Sequence, residues 1–86
     1  MAAVQAFQIE GLKLWFWSND HEPPHFHAKR AGEWEVKVHF LLEASEMIEV
    51  EWAKKKLPSK VLSNLKALAE EHRAELLAQW EQLQGN

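Results

Sequence analysis

The stretch HFHAKRAGEWEVKVHF, residues 25–40, decides the fold that the sequence predicts. From Glu33 to Phe40 apolar residues alternate with polar ones, which is the pattern of a half-buried β-strand. The tripeptide Arg30-Ala31-Gly32 before that strand is typical of a tight loop whose glycine adopts the left-handed conformation. We therefore predict that these residues form a β-hairpin.

The length of the hairpin loop sets which residues face each other. A loop of three residues, Arg30-Ala31-Gly32, pairs Phe26 with Val36 and Ala28 with Trp34, and places all four on one apolar face. A loop of two residues would reverse the faces of the first strand and bury its histidines against valines. We predict the loop of three residues.

Strand and helix patterns continue on both sides of the hairpin. Residues 12–17 form a short apolar run between turn residues, and residues 48–52 alternate apolar residues with glutamates, so both are predicted as strands. In residues 58–83 apolar residues recur at spacings of three and four, which predicts one amphipathic helix. We expect this helix to stop at Gly85 and to kink near residues 70–72.

The predicted fold class is α+β, with a small sheet of three to four mostly antiparallel strands packed against one long C-terminal helix. We expect a single domain over residues 1–86, with the sheet in residues 7–53 and the helix in residues 58–84. The pattern places three tryptophans in the core: Trp34, Trp52 and Trp80. A domain of this size buries only about 60–65% of its surface, so a homodimer stays open.

Composition excludes several classes of protein. The chain contains no cysteine, so it has neither disulfides nor thiolate metal sites, and a metal would need histidine and carboxylate ligands. The formal net charge of −3 argues against a general nucleic-acid binder. The first residues lack the pattern of a secretion signal, and no apolar run is long enough to cross a membrane. We expect a cytoplasmic, bacterial protein without a membrane partner.

The histidines on either side of Phe26 carry the strongest functional signal. In the predicted register His25 and His27 point to the polar face of the sheet, about 6.6 Å apart along the backbone. Glu35 would lie directly across from His27, and His39 would be a diagonal neighbour of His25. Two imidazoles and a carboxylate placed in this way can hold a divalent metal such as zinc and leave one position open for water.

Three interpretations of this cluster stay open. The histidines serve the structure alone, or they bind a metal, or they exchange protons without one. In the third case Lys29 or Arg30 would hold an anion. His21 joins the cluster only if the loop folds back, because four extended residues span about 12 Å. The stiff pair Pro23-Pro24 would fix the directions of the neighbouring histidines.

The segment WFWSNDHEPPHFH, residues 15–27, is followed by a glycine-containing hairpin and by a helix that ends in HRAELLAQW, residues 72–80. This arrangement resembles the bacterial DUF4160 family, a domain of unknown function, over nearly the whole chain. The most specific part is Asp-His-x-Pro-Pro-His-x-His. The motif residues in this chain are Asp20, His21, Pro23, Pro24, His25 and His27.

The resemblance implies a partner and a cellular role. Members of the family are often encoded beside a small protein of the DUF2442 family, and the pair is suspected of being a toxin–antitoxin module. It therefore implies a small partner protein and an RNA-directed activity. The first function class is therefore a nucleic-acid-acting enzyme or toxin whose catalysis would rest on His25, His27 and His21, with Asp20 of the motif in a binding role. The binding roles of Lys29, Arg30, Glu35 and His39 come from their charge and the predicted hairpin register, and not from the resemblance.

A second function class is a non-catalytic module that docks the partner through exposed aromatics, such as Trp17, or through the acidic strand around Glu49. The chain shows neither a glycine-rich phosphate loop nor a serine or cysteine nucleophile motif, which favours this class. Both classes stay open at the level of sequence.

Overall fold

A computed structural model describes residues 1–84 and shows an antiparallel sheet of five strands. Each strand pairs with the next one along the chain. The strands are β1 (Ala2–Ala3), β2 (Lys13–Phe16), β3 (Phe26–Arg30), β4 (Trp34–Val38) and β5 (Ile48–Ala53). The α+β class and the antiparallel sheet agree with the prediction, whereas three to four strands were expected. The edge strand β1 has only two residues, too few for a sequence pattern.

Two helices follow the sheet, α1 (Ser59–Glu71) and α2 (Arg73–Leu83). The chain leaves helical geometry at His72, with φ −108° and ψ 23°, so the expected kink is a break between two helices. The predicted stop at Gly85 lies outside the described residues. Within residues 1–84, no helix combines the length and the apolarity that crossing a membrane requires.

The register of the hairpin differs from the prediction by two residues. Phe26 faces Val38 and Ala28 faces Val36. The loop of three residues is Ala31-Gly32-Glu33, with Gly32 at φ 78°, and Arg30 still belongs to β3. The backbone N–H of Glu33 donates to the Arg30 carbonyl at 2.9 Å and closes this turn. Because side chains alternate with a period of two, a shift of two residues leaves every predicted face unchanged.

One face of the sheet, which we call the helix face, carries the hydrophobic core. Phe16, Phe26 and Trp34 on this face are fully buried, as are Leu65 of α1 and Leu76 of α2. Aromatic rings make edge-to-face contacts here, with the centroids of Phe16 and Phe26 6.2 Å apart. Each large aromatic of this kind removes about 150–250 Å² from water, which is the main stabilising contribution in so small a domain.

The prediction that Trp52 lies in the core is wrong. Val36 pairs with Val50 but Glu35 pairs with Trp52, so Glu51 is an extra residue in β5 and forms a β-bulge. The bulge turns Trp52 onto the opposite face, where its indole N–H donates to Glu35 Oε1 at 3.3 Å and 36% of the residue is exposed. The other two predicted core tryptophans, Trp34 and Trp80, are buried.

Candidate functional site

The opposite face of the sheet, which we call the histidine face, carries His25 and His27. Both residues are buried, with 3% and 4% of their surface exposed, although the sequence predicted a polar face open to water. Trp15 stacks on the His27 ring at a centroid distance of 5.2 Å, and Trp80 lies 5.5 Å from the His25 ring. The connection from β2 to β3 folds back and brings Asp20 onto both rings.

One carboxylate oxygen joins the two histidines. Asp20 Oδ2 lies 3.0 Å from Nε2 of His27 and 3.2 Å from Nε2 of His25. The possible ligand atoms of the three side chains lie within 4.8 Å of one another. The sequence singled out all three residues, but it did not show that Asp20 is the carboxylate that meets both imidazoles. That contact depends on the fold of the loop rather than on strand register.

A backbone carbonyl fixes the orientation of the His25 ring. Its Nδ1–H donates to the Pro23 carbonyl at 2.9 Å, because a carbonyl oxygen can only accept. The Nε2 atom is then the unprotonated nitrogen of the neutral ring. Among the described residues Nε2 has no hydrogen-bond partner, although it is buried and lies close to Asp20.

The charge state of His25 follows from its surroundings. Burial lowers the pKa of His25 below its usual value, and the nearby rings of His27 and His39 act in the same direction. The hydrogen bond to Pro23 and the charge of Asp20 oppose this effect without reversing it. At neutral pH the ring is therefore neutral, and a nitrogen lone pair lies beside a carboxylate.

His27 has a different environment at its second nitrogen. Its Nε2 is within hydrogen-bond distance of Asp20, while its Nδ1 is buried and has no hydrogen-bond partner within residues 1–84. Glu35 Oε2 lies 3.6 Å from that Nδ1, which is too long for a hydrogen bond. The prediction that Glu35 lies directly across from His27 is wrong, because the observed register puts it across from Lys29. Glu35 and His27 are instead diagonal neighbours across β3 and β4.

His39 belongs to a neighbouring pair rather than to the Asp20 cluster. Its Nε2 lies 2.9 Å from Oε1 of Glu49, and this hydrogen bond is the main reason that the pKa of Glu49 is lowered. The rings of His25 and His39 are 5.3 Å apart. Continuing the pairing of β3 with β4 by one residue puts His39 opposite His25 rather than on the predicted diagonal.

A hollow of about 220 Å³ opens beside the cluster. Asp20 and His25 line it together with His21, Lys37, His39 and Glu49. His21, an expected catalytic residue, is exposed and lies outside the set of converging atoms. The hollow therefore gives a small ligand or a water molecule access to two of the three clustered residues.

The two basic residues after the motif lie on opposite faces of the sheet. Lys29 lies on the histidine face, with its Nζ 5.8 Å from the centre of the Trp15 ring. Arg30 pairs with the core residue Trp34, and its Nη1 lies 3.7 Å from where a Cβ on Gly11 would be. Strand alternation turns the Arg30 side chain to the helix face, away from the histidines, so the predicted anion-binding role of Arg30 stays a prediction for a different face.

The family was tested by comparison with known proteins. The family model DUF4160, described as a domain of unknown function, matches residues 11–81. The chain belongs to the DUF4160 family. No curated protein and no solved structure gave a significant match.

The matched part of this DUF4160 chain contains all three clustered residues, Asp20, His25 and His27, and the break between the helices at His72. It leaves out β1. The family description states no reaction.

Proposed function

We propose that this DUF4160 domain binds one divalent transition metal ion, preferably zinc, through Asp20, His25 and His27. The observation that carries this proposal is the approach of both Nε2 atoms to one oxygen of Asp20, at 3.0 and 3.2 Å. Ligand atoms about 2.1 Å from a tetrahedral zinc ion lie about 3.4 Å apart. A small outward movement of the three side chains would therefore make room for the ion.

The His25 nitrogen supports a cation at this point. In the neutral ring its lone pair and the negative Asp20 oxygen lie 3.2 Å apart without hydrogen-bond geometry. Burying such a contact is unfavourable unless a positive charge lies between the two atoms. Burial disfavours a proton on His25, as the lowered pKa indicates, whereas a metal ion would be held by all three ligands at once.

The surrounding groups match those that usually support metal-bound histidines. Such a histidine donates its other ring N–H to a carbonyl or carboxylate, which fixes the ring and raises its basicity. The Pro23 carbonyl fills this role for His25 at 2.9 Å. Glu35 would fill it for His27 after a small movement of its carboxylate, since binding through Nε2 would move the ring proton to Nδ1, which lies 3.6 Å from Oε2. Two nitrogens and one oxygen favour zinc over magnesium or calcium.

Three protein ligands leave a fourth position for water or substrate, and the adjoining hollow gives access to it. Zinc in such a site lowers the pKa of a bound water to about 7 and can polarise a substrate oxygen. In the same hollow, Glu49 holds the His39 ring at 2.9 Å, and the Lys37 ammonium is paired with Glu51 at 3.0 Å. These groups would orient a ligand beside the ion.

Metal titration of the purified domain tests this proposal. The domain, stripped with a chelator, should bind one zinc ion in calorimetry, and cobalt in its place should give the absorption of a four-coordinate site. The variants Asp20→Asn and His25→Gln should lose this binding. His21→Gln, an exposed histidine from the same loop, is the matched control and should bind like the parent. Absence of binding by the parent, or an equal loss in His21→Gln, would overturn the proposal.

The cellular role that we propose for the metal centre is that of a component of a toxin–antitoxin-like module encoded by two genes. The likeness of the motif from Asp20 to His27 to the DUF4160 family is the ground for this role, and the family match itself names no role. Co-expression with the neighbouring small protein should give a complex that co-purifies. If His25→Gln is no longer toxic but still forms the complex, the result would support a role of the metal centre in toxicity. Unchanged toxicity would instead favour the non-catalytic docking module.

A further inference from the structure

A strip of lysines and tryptophans lies beside the metal ligands on the histidine face. Lys13 and Lys29 face each other across β2 and β3, with their ammonium groups 5.5 and 5.8 Å from the centre of the Trp15 ring. Trp17 lies beyond Trp15, with the two ring centroids 6.1 Å apart. We call Lys13, Trp15, Trp17 and Lys29 the lysine–tryptophan strip.

The two positive charges of the strip have no ion-pair partner in the described part of the chain. Within residues 1–84, neither Lys13 nor Lys29 forms an ion pair, whereas Lys37 on the same sheet pairs with Glu51 at 3.0 Å. Glu35 lies across from Lys29, but its carboxylate is directed to the Trp52 indole and toward His27. Two unpaired ammonium groups on one aromatic ring give a local attraction for anions in a chain whose net charge is −3.

Trp17 adds an aromatic surface to this charge. It is 44% exposed, which is unusual for the largest apolar side chain, and its ring centroid lies 6.4 Å from that of the ligand His27. Its backbone carbonyl accepts a hydrogen bond from Gln84 at 3.3 Å, which ties this end of the strip to the end of α2. An exposed indole on a tethered backbone is a surface on which a flat ring can stack.

We propose that the lysine–tryptophan strip binds single-stranded nucleic acid, with phosphates on Lys13 and Lys29 and a base stacked on Trp17. Single strands are recognised by this combination of basic side chains and stacking aromatics. Trp17 directly follows β2, so it lies four residues from Lys13, or about 13 Å of extended backbone, and the bound nucleic acid would run past His27. The inference rests on the proposed function in one respect: single-stranded nucleic acid would be the substrate class that the lysine–tryptophan strip brings to the metal centre.

Binding of fluorescein-labelled single-stranded RNA and DNA, measured by fluorescence anisotropy at low salt, tests this inference. The double variant Lys13→Ala/Lys29→Ala should weaken binding at least tenfold. Lys55→Ala/Lys56→Ala, which removes the same charge from another exposed basic cluster, should stay close to the parent. The dependence of log affinity on log salt should have a slope of about −1.4, as two phosphate contacts predict.

The stacking contact has its own pair of variants. Trp17→Ala should weaken binding at least tenfold, while Trp52→Ala, another exposed tryptophan on the same face, should not. Three results would overturn the inference: no binding by the parent, an equal loss in the control variants, or equally effective competition by an acidic peptide. The last would show that an acidic protein is the ligand.

Failure of this inference is distinguishable from failure of the metal site. Asp20→Asn should abolish zinc binding, whereas the parent domain stripped of metal with a chelator should still bind the oligonucleotide, because no group of the strip is a metal ligand. The double variant Lys13→Ala/Lys29→Ala should weaken oligonucleotide binding and leave zinc binding unchanged. If oligonucleotide binding is absent while zinc binds, only the nucleic-acid inference fails.

Discussion

His25 donates its Nδ1–H to the backbone oxygen of Pro23 across 2.9 Å. This single contact decides which nitrogen of the ring carries the proton and leaves Nε2 unprotonated beside Asp20, and it comes from a residue only two positions away. The motif therefore carries its own orienting group: the proline that bends the chain also supplies the acceptor that sets the ring.

Zinc should stabilise the folded domain. A ligand that binds only the native state at about 100 times its Kd adds about 2.7 kcal/mol to the free energy of unfolding. In a domain of this size we expect Tm to rise by about 10 °C or more. Differential scanning fluorimetry with zinc and with chelator measures the shift, and Asp20→Asn should remove it. A shift of equal size in Asp20→Asn would place the ion elsewhere.

Glu35→Gln should weaken zinc binding about 10- to 100-fold without unfolding the domain, because Glu35 supports His27 and does not touch the ion. Competition with a zinc-binding dye measures the affinity. The control is Glu51→Gln, which removes a carboxylate from the same face that pairs with Lys37. If the two variants behave alike, loss of negative charge rather than support of His27 explains the effect.

Trp34→Ala and Trp52→Ala should differ strongly in stability. Trp34 is fully buried, so its truncation should lower the free energy of unfolding by about 3–5 kcal/mol. Trp52 lies on the bulge and is 36% exposed, so its truncation should cost about 1 kcal/mol or less. Urea unfolding followed by circular dichroism measures both. Similar losses would mean that Trp52 is a core residue, as the alternation of β5 alone suggests.

His72 at the helix break should titrate above its usual pKa, mainly because Glu75 accepts a hydrogen bond from its Nδ1 at 2.8 Å. A raised pKa in the folded state stabilises the fold below the unfolded pKa of 6.5, and this contribution disappears as pH rises through the folded pKa. NMR titration should show the His72 pKa moving down in Glu75→Gln. An unchanged pKa would exclude the hydrogen bond as the cause.

The alternation in residues 33–40 was enough to predict β4 and the face of every residue in the central hairpin. It could not fix the register, because a slip of two residues keeps all faces and only exchanges Arg30 and Glu33 between strand and loop. The bulge at Glu51 leaves no trace in the pattern, since its neighbours alternate regularly in sequence. Trp52 was misplaced for that reason.

The candidate site was predictable in its residues but not in its contacts. Spacing alone put His25 and His27 on one face, and the motif pointed to Asp20. The contact of Asp20 with both rings depends on how the loop after Trp17 folds back. The burial of the two rings depends on Trp15 and Trp80, which come from distant parts of the chain. Non-local packing of this kind has no local sequence pattern.

The position of Trp80 has one more consequence. Trp80 is a buried residue of α2, and the centroid of its ring lies 5.5 Å from that of His25. We expect a positive charge on that imidazole to change the emission of Trp80, one of five tryptophans in the chain. The domain thus has a built-in optical reporter, and occupancy of the cluster can be followed in the unlabelled protein.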